Sequence, residues 1–115
     1  MNKVIINGRL TKSPVLSRTN SGTSVCNARL AANRRIKNGS TFTDKPVFID
    51  ITVWGKTAEF VANNAIQGTK LSIEGELDMD EWTDETGQKH SKNKINCEHV
   101  EIVSQPKKVV ENDIR

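Results

Sequence analysis

The chain has 115 residues, 35% hydrophobic, 4% aromatic and 27% charged, with a formal net charge of +3; this length suits one domain with a modest core. No apolar run reaches the ~18 residues of a membrane span and the N-terminus lacks a signal-peptide core, so a soluble cytoplasmic protein without membrane contact is expected. The net charge hides an asymmetry: residues 1–57 carry ten Lys/Arg against two Asp/Glu, and residues 58–115 carry seven against twelve.

Short strands separated by turn signals point to a β-sandwich or small barrel. Val4 to Leu10 reads as the first strand, with Gly8 as a bulge or tight bend. Thr19-Asn20-Ser21-Gly22 is a turn. In the strand from Thr23 to Ala32, Cys26, Ala28 and Leu30 face one way and Val25, Asn27 and Arg29 the other. Arg34 to Asp44 reads as a polar loop, with Asn38-Gly39 as a hairpin tip. From Pro46 to Trp54, Val47, Ile49, Ile51 and Val53 make a continuous apolar face. The opposite face is Phe48, Asp50, Thr52 and Trp54, two aromatics beside an acid and a hydroxyl. That mixture does not suit a second core face.

Gly55 ends this strand, and Lys56 to Ile66 predicts a short helix with Ala58, Val61, Ala62 and Ala65 at helical spacing. Phe60 is assigned to its core face, and Phe42 is left open. Leu71 to Met79 alternates, with Leu71, Ile73, Leu77 and Met79 inward. The turn Asp84-Glu85-Thr86-Gly87 places Trp82 on an exposed arm. Ser91 to Val103 is the last strand, with imperfect alternation. The expected domain is 1–104, and 105–115 reads as a short flexible tail. The result is an all-β, five-stranded Greek-key barrel with one short helix between its third and fourth strands, the OB-fold layout.

Catalytic and metal motifs are missing. Cys26 and Cys97 make no disulfide framework and no CxxC pair, and with His90 and His99 they form only a lone C-x-H and scattered ligands. GxSxG, P-loop and HExxH patterns are absent. No enzyme, cofactor, metal or small-molecule substrate is expected. From Met1 to Thr43 there is no acidic residue. Such a stretch suits a polyanionic partner or, equally, a solvated basic face.

Several segments in register resemble the bacterial single-stranded DNA-binding proteins. "NKVIINGRLTKSPVL", "NSGTSVCNARLAANR", "FIDITVWGKTAEF", "GTKLSIEGEL" and "EWTDETGQK" are similar to successive parts of that family, from Asn2 to about Ser104. The resemblance implies an OB-fold homotetramer, with a dimer as second choice. It implies binding of single-stranded DNA with little sequence preference in replication, recombination and repair, and a nucleoid-associated location. It places stacking aromatics on Phe48, Trp54 and Trp82, a further stacking position on Ile36, and the lysine after the strand-ending glycine on Lys56. The arm before Trp82, commonly basic in the family, reads Asp78-Met79-Asp80-Glu81 here. Many members end in a linker and an acidic Pro-Phe tip, whereas this chain stops at Glu111-Asn112-Asp113-Ile114-Arg115. Reduced tail-mediated recruitment of replication or repair proteins follows. A naturally short member, an accessory copy from a phage or mobile element, and a trimmed chain all fit.

Binding of any single strand requires cations along the phosphates and flat apolar surfaces for bases. Arg34, Arg35 and Lys37, with Lys56, are the candidate cations, while Arg9 and Arg29 suit an interface or ion pairs equally. Phe48 and Trp54 could instead pack beneath a loop or a second subunit, and Trp82 could be an oligomer contact. A primosomal-type protein, an RNA-binding OB-fold protein and a saccharide-binding or structural OB module are the alternatives.

Overall fold

The computed structural model describes residues 1–106. β1 (Val4–Leu10), β2 (Val15–Arg18), β3 (Ser24–Asn38), β4 (Thr41–Trp54), α1 (Gly55–Asn64), β5 (Lys70–Thr83) and β6 (Lys89–Ser104) follow in chain order. The sheet runs β1-β5-β6-β4-β3-β2, and an additional β1–β3 pairing closes five of these strands into a barrel. All pairings are antiparallel except β4 with β6, which is parallel over Asp50↔Lys94 to Thr52↔Asn96. The barrel strands are β1, β3, β4, β5 and β6, so α1 sits between the third and fourth of them, in agreement with the OB-fold reading. β2 is an extra ribbon on β3; four residues, Val15–Arg18, carry too little alternation to be read as a strand.

Barrel closure depends on β1 changing partners. Val4 to Arg9 pair with β5, while Arg9 and Leu10 pair with β3. The pairing of β1 is regular, so Gly8 is not a bulge; a Cβ there would lie 3.1 Å from the Ala31 carbonyl oxygen, and the missing side chain lets β1 pass close over β3. The register shifts lie instead in the β5–β6 ladder, where Glu74 pairs with His99 and Gly75 with Cys97, leaving Glu98 unpaired. This bulge is the cause of the broken alternation in the last strand.

Leu30, Ile51, Val53, Leu71, Ile73 and Ile95 fill the barrel, and Ala58 and Val61 of α1 plug one end. Four expectations fail for one reason: the strands are longer than the barrel. β3 runs on to Asn38 and β4 begins at Thr41, so the hairpin tip expected at Asn38-Gly39 is borne out, with Gly39 at φ +67°, but the stretch from Arg34 to Asp44 around it is a two-stranded arm and not a loop. Its residues have solvent on both faces, so no apolar alternation marks it as strand. Val47 lies on this arm and is 46% exposed rather than core. Leu77 and Met79 continue the inward side of Leu71 and Ile73, but past Gly75 the strand has left the barrel and both are exposed. Phe60 is also exposed, because Ala58, Val61 and Ala65 already form the buried stripe of α1 and its neighbourhood, and a residue two along from Ala58 points away from it.

Cys26 is buried and Cys97 half-buried, both as free thiols, with burial pushing the Cys97 thiol up to about 12. Gln105, expected in the tail, is tied to the barrel: the Thr69 hydroxyl donates to its Oε1 at 2.8 Å, and its Nε2 donates to the Asn64 carbonyl at 3.1 Å. The final residues of the chain, with the expected Glu111–Arg115 terminus, lie outside the described residues. No helix among the described residues is long and apolar enough to cross a membrane.

Candidate nucleic-acid interface

The β3–β4 register determines what shares a face. Opposed residues include Asn27↔Thr52, Arg29↔Asp50, Ala31↔Phe48, Arg35↔Asp44 and Lys37↔Phe42. Opposite residues of an antiparallel pair project to the same side, so even-numbered β4 residues and odd-numbered β3 residues form the outer surface, while Ile51 and Val53 point into the core. Across the parallel β4–β6 pairing the same surface continues through Lys94 and Asn96, and then through Lys92 and His90 to Asp80 and Trp82 of β5. A groove of about 640 Å³ runs over it, walled by the β1–β2 loop and the β5–β6 arm, with Lys12, Asn27, Arg29, Asp50, Thr52, Asp80, Trp82, Lys92 and Lys94 in its lining.

The three expected aromatic rings stand on this surface, with Phe48 49%, Trp54 42% and Trp82 48% exposed, and Phe42, 52% exposed, lies on the same side farther out on the β3–β4 arm. Each is held by a neighbour. The Trp54 indole N–H donates to the Asn96 Oδ1 at 3.1 Å, and the Arg29 guanidinium lies 5.0 Å from the centre of the Phe48 ring. Trp82 stacks on His90, with centroids 5.5 Å apart and planes 18° from parallel. His90 Nε2 in turn lies 2.7 Å from Asp84 Oδ2. Asp84 organises the turn: Thr86 donates its hydroxyl and its backbone N–H, and Gln88 its backbone N–H, all to Oδ1. The Thr86 hydroxyl above all, then His90, pulls the Asp84 carboxyl down to about 2. Lys92 is paired with Asp50, and Lys94 with Asp80 at 2.9 Å.

The expected site residues divide into four groups. Phe48, Trp54 and Trp82 come together on one surface. Arg35 and Lys37 belong to the same side of the β3–β4 arm, where Arg35 stacks on Phe42 at 4.0 Å from its centre. Arg34 and Ile36 fall on the opposite side of that arm, with Thr43, Lys45 and Val47. Lys56 is exposed on the first turn of α1, just beyond Trp54. Sequence reasoning passed over Lys12, Lys92, Lys94, Asn96 and His90, and left Arg29 and Phe42 unassigned. The signal was present in His90, Lys92, Lys94 and Asn96, a period-two polar row directly after the Trp82 hairpin, but pairing to β4 was needed to show which face it occupies.

The profile of the Single-strand binding protein family matches residues 1–103. The chain belongs to the single-strand binding protein family. The match takes in all six strands except the last residue of β6, so it spans the barrel with its two arms. Among curated relatives, a protein of Aquifex aeolicus named "Single-stranded DNA-binding protein" is 41% identical over 108 residues, covering 93% of this chain and 73% of the relative. One of the same name from Treponema pallidum is 35% identical, over 90% of this chain but 58% of the relative. "Single-stranded DNA-binding protein 1" of Clostridium acetobutylicum is 33% identical over 96% of this chain and all of the relative. The chain thus spans less than two thirds of the Treponema relative and of a Wolinella succinogenes relative, of which it covers 64%.

Proposed function

We propose that the outer surface of this family member binds single-stranded DNA with little sequence preference, and that the protein is non-catalytic. The observation carrying this reading is the row of half-exposed rings, Phe48, Trp54 and Trp82, beside the basic groove. Every base has a π-face, so stacking accepts any sequence, and each stacked base contributes about 1–3 kcal/mol. Phe48 and Trp54 are six residues apart on one strand, roughly 20 Å at ~3.3 Å per residue, enough for several unstacked nucleotides between them. Lys12, Arg29, Arg35, Lys37 and Lys56 neutralise phosphates from this side, while Arg34 and Ile36 meet a strand that wraps over the edge of the arm. The relatives' names support DNA as the polymer.

A homotetramer is the proposed assembly, supported by the exposed apolar Ile5 and Val103, at 71% and 50%, on the β1 and β6 side of the barrel. Cytoplasmic, nucleoid-associated work in replication, recombination and repair follows from the same reading. The test is a titration with oligo-dT followed by tryptophan emission, with duplex DNA and an RNA oligomer as competitors. Both tryptophans, Trp54 and Trp82, lie on the proposed surface, so most of the emission is expected to be quenched. Equal competition by duplex, or absence of quenching, rejects the proposal; preference for RNA moves it to the RNA-binding alternative.

A further inference from the structure

The groove floor carries an interleaved quartet of charges. In strand register Asp50 opposes Lys94 and Asp80 opposes Lys92. The ion pairs, however, run diagonally, Asp50 to Lys92 and Asp80 to Lys94. Each lysine therefore has one carboxylate as its ion-pair partner and the other as its cross-strand neighbour. The Lys94 side chain is 16% exposed and that of Asp50 26%, so part of the quartet is withdrawn from solvent and less screened than a surface pair.

Resting on the reading of this surface as a single-strand site, we propose that Asp50 and Asp80 are built-in counter-ions that occupy Lys92 and Lys94 in place of phosphate. An incoming strand must displace them. Salt sensitivity of binding to a polyanion arises from the ions released as cations neutralise phosphates. A lysine already matched by a carboxylate exchanges one anion for another, and the displaced carboxylate remains in the groove to repel the strand. Affinity and salt dependence are then both lower than the cations alone would dictate, and a bound strand stays easy to replace. If the carboxylates served only to aim the lysines at phosphate, removing them would weaken binding, so the sign of the effect separates the two roles.

The experiment titrates oligo-dT, read by tryptophan emission, across a range of salt. It compares the wild type, Asp50→Asn/Asp80→Asn, and Glu98→Gln/Glu101→Gln, which removes the same charge away from the groove. The groove variant is expected to bind about tenfold tighter at low salt, with a log–log slope steeper by up to about 1.4, at about 0.7 per additional phosphate for single strands. The control is expected to change by less than about threefold, a general charge effect being screened beyond ~10 Å. Melting followed by circular dichroism checks folding, and Asp80→Asn alone, at the more exposed of the two carboxylates, serves if the double variant does not fold. Equal or weaker binding by the groove variant, an unchanged slope, or an equal gain in the control overturns the proposal while leaving the single-strand reading intact. Absence of binding by the wild type overturns the single-strand reading itself, and this inference with it.

Discussion

Two residues of β4, three apart, separate function from stability. Trp54 stands on the outer surface, 42% exposed, and Ile51 in the core is 1% exposed. Trp54→Ala is expected to weaken oligo-dT binding by about 1–3 kcal/mol, a roughly 5- to 150-fold loss, with little change in melting temperature. Trp54→Phe restores much of the affinity and Trp54→Leu does not. Ile51→Ala does the reverse, costing about 2–5 kcal/mol of stability through a cavity; thermal melts beside binding curves check both. At the Trp82 end the Asp84 carboxyl is held down, at about 2 instead of the usual 3.8. A depressed carboxyl contributes its stabilisation above about 3.8 and loses it as pH falls through about 2. The Trp82 hairpin is therefore expected to hold its shape from neutrality down to about pH 4 and to loosen below it. Trp82 emission in a Trp54→Phe background measures this, and Asp84→Asn should remove the transition.

At the level of elements, each arm is a ribbon that leaves the barrel and so depends on the register at its root. Gly75 is that root for the β5–β6 arm: a Cβ there would lie 2.2 Å from the Asn96 carbonyl oxygen, a backbone atom that cannot swing aside. Gly75→Ala is expected to cost about 1–3 kcal/mol as an overpacking change, and to disturb Trp54 as well, since Asn96 holds its indole N–H. Denaturant unfolding and the Trp54 emission report the two effects. The β3–β4 arm makes a different prediction. Arg35 and Lys37 share the side of Phe48, and Arg34 does not. Arg35→Ala/Lys37→Ala should lower affinity and flatten the salt slope more than Arg34→Ala does, as salt titrations of the variants would show.

For the whole molecule the arms set the shape. The radius of gyration is 16.7 Å, against about 13 Å for a compact chain of this length. The arms carry Trp82, Phe42 and many of the cations, so the protein extends its proposed binding surface beyond the reach of its small core. Charge is divided in the same way. The basic half contributes β1 to β4 and Lys56, and the acidic half contributes β5, whose outer row Glu74, Glu76, Asp78 and Asp80 precedes Trp82. Binding of oligo-dT is expected to weaken with salt at about −0.7 per phosphate engaged, and titrations between low and moderate salt measure that slope. A salt-independent affinity would mean that the basic half is only a solvated face.

Much of the fold was legible because a barrel strand must alternate where it is half buried. Val4–Leu10 and the Ile51–Trp54 end of β4 declared themselves by period two, and α1 by its alanines. Phe48 and Trp54 stood out because aromatics beside an acid and a hydroxyl do not suit a core, and Trp82 because the turn after it sets it on an exposed hairpin. The exposed Trp82 hairpin was legible from its turn residues, but the strand character of the β3–β4 arm and the point at which each ribbon leaves the barrel were not. Where both faces meet water, burial no longer constrains the residue types, so Arg34 to Asp44 read as loop, and Val47, Leu77 and Met79 as core. The sequence by itself determined the chemistry available: one domain, basic in its first half, with three rings set apart from the core pattern. Only the tertiary structure decided which of those groups meet. Alternation places a side chain on one of two faces, but the side on which β6 joins β4, and hence the company of Lys92, Lys94 and Asn96 with Asp50 and Trp54, depends on contacts about 40 residues apart. Such long-range pairing is settled by closure of the barrel, not by local preference.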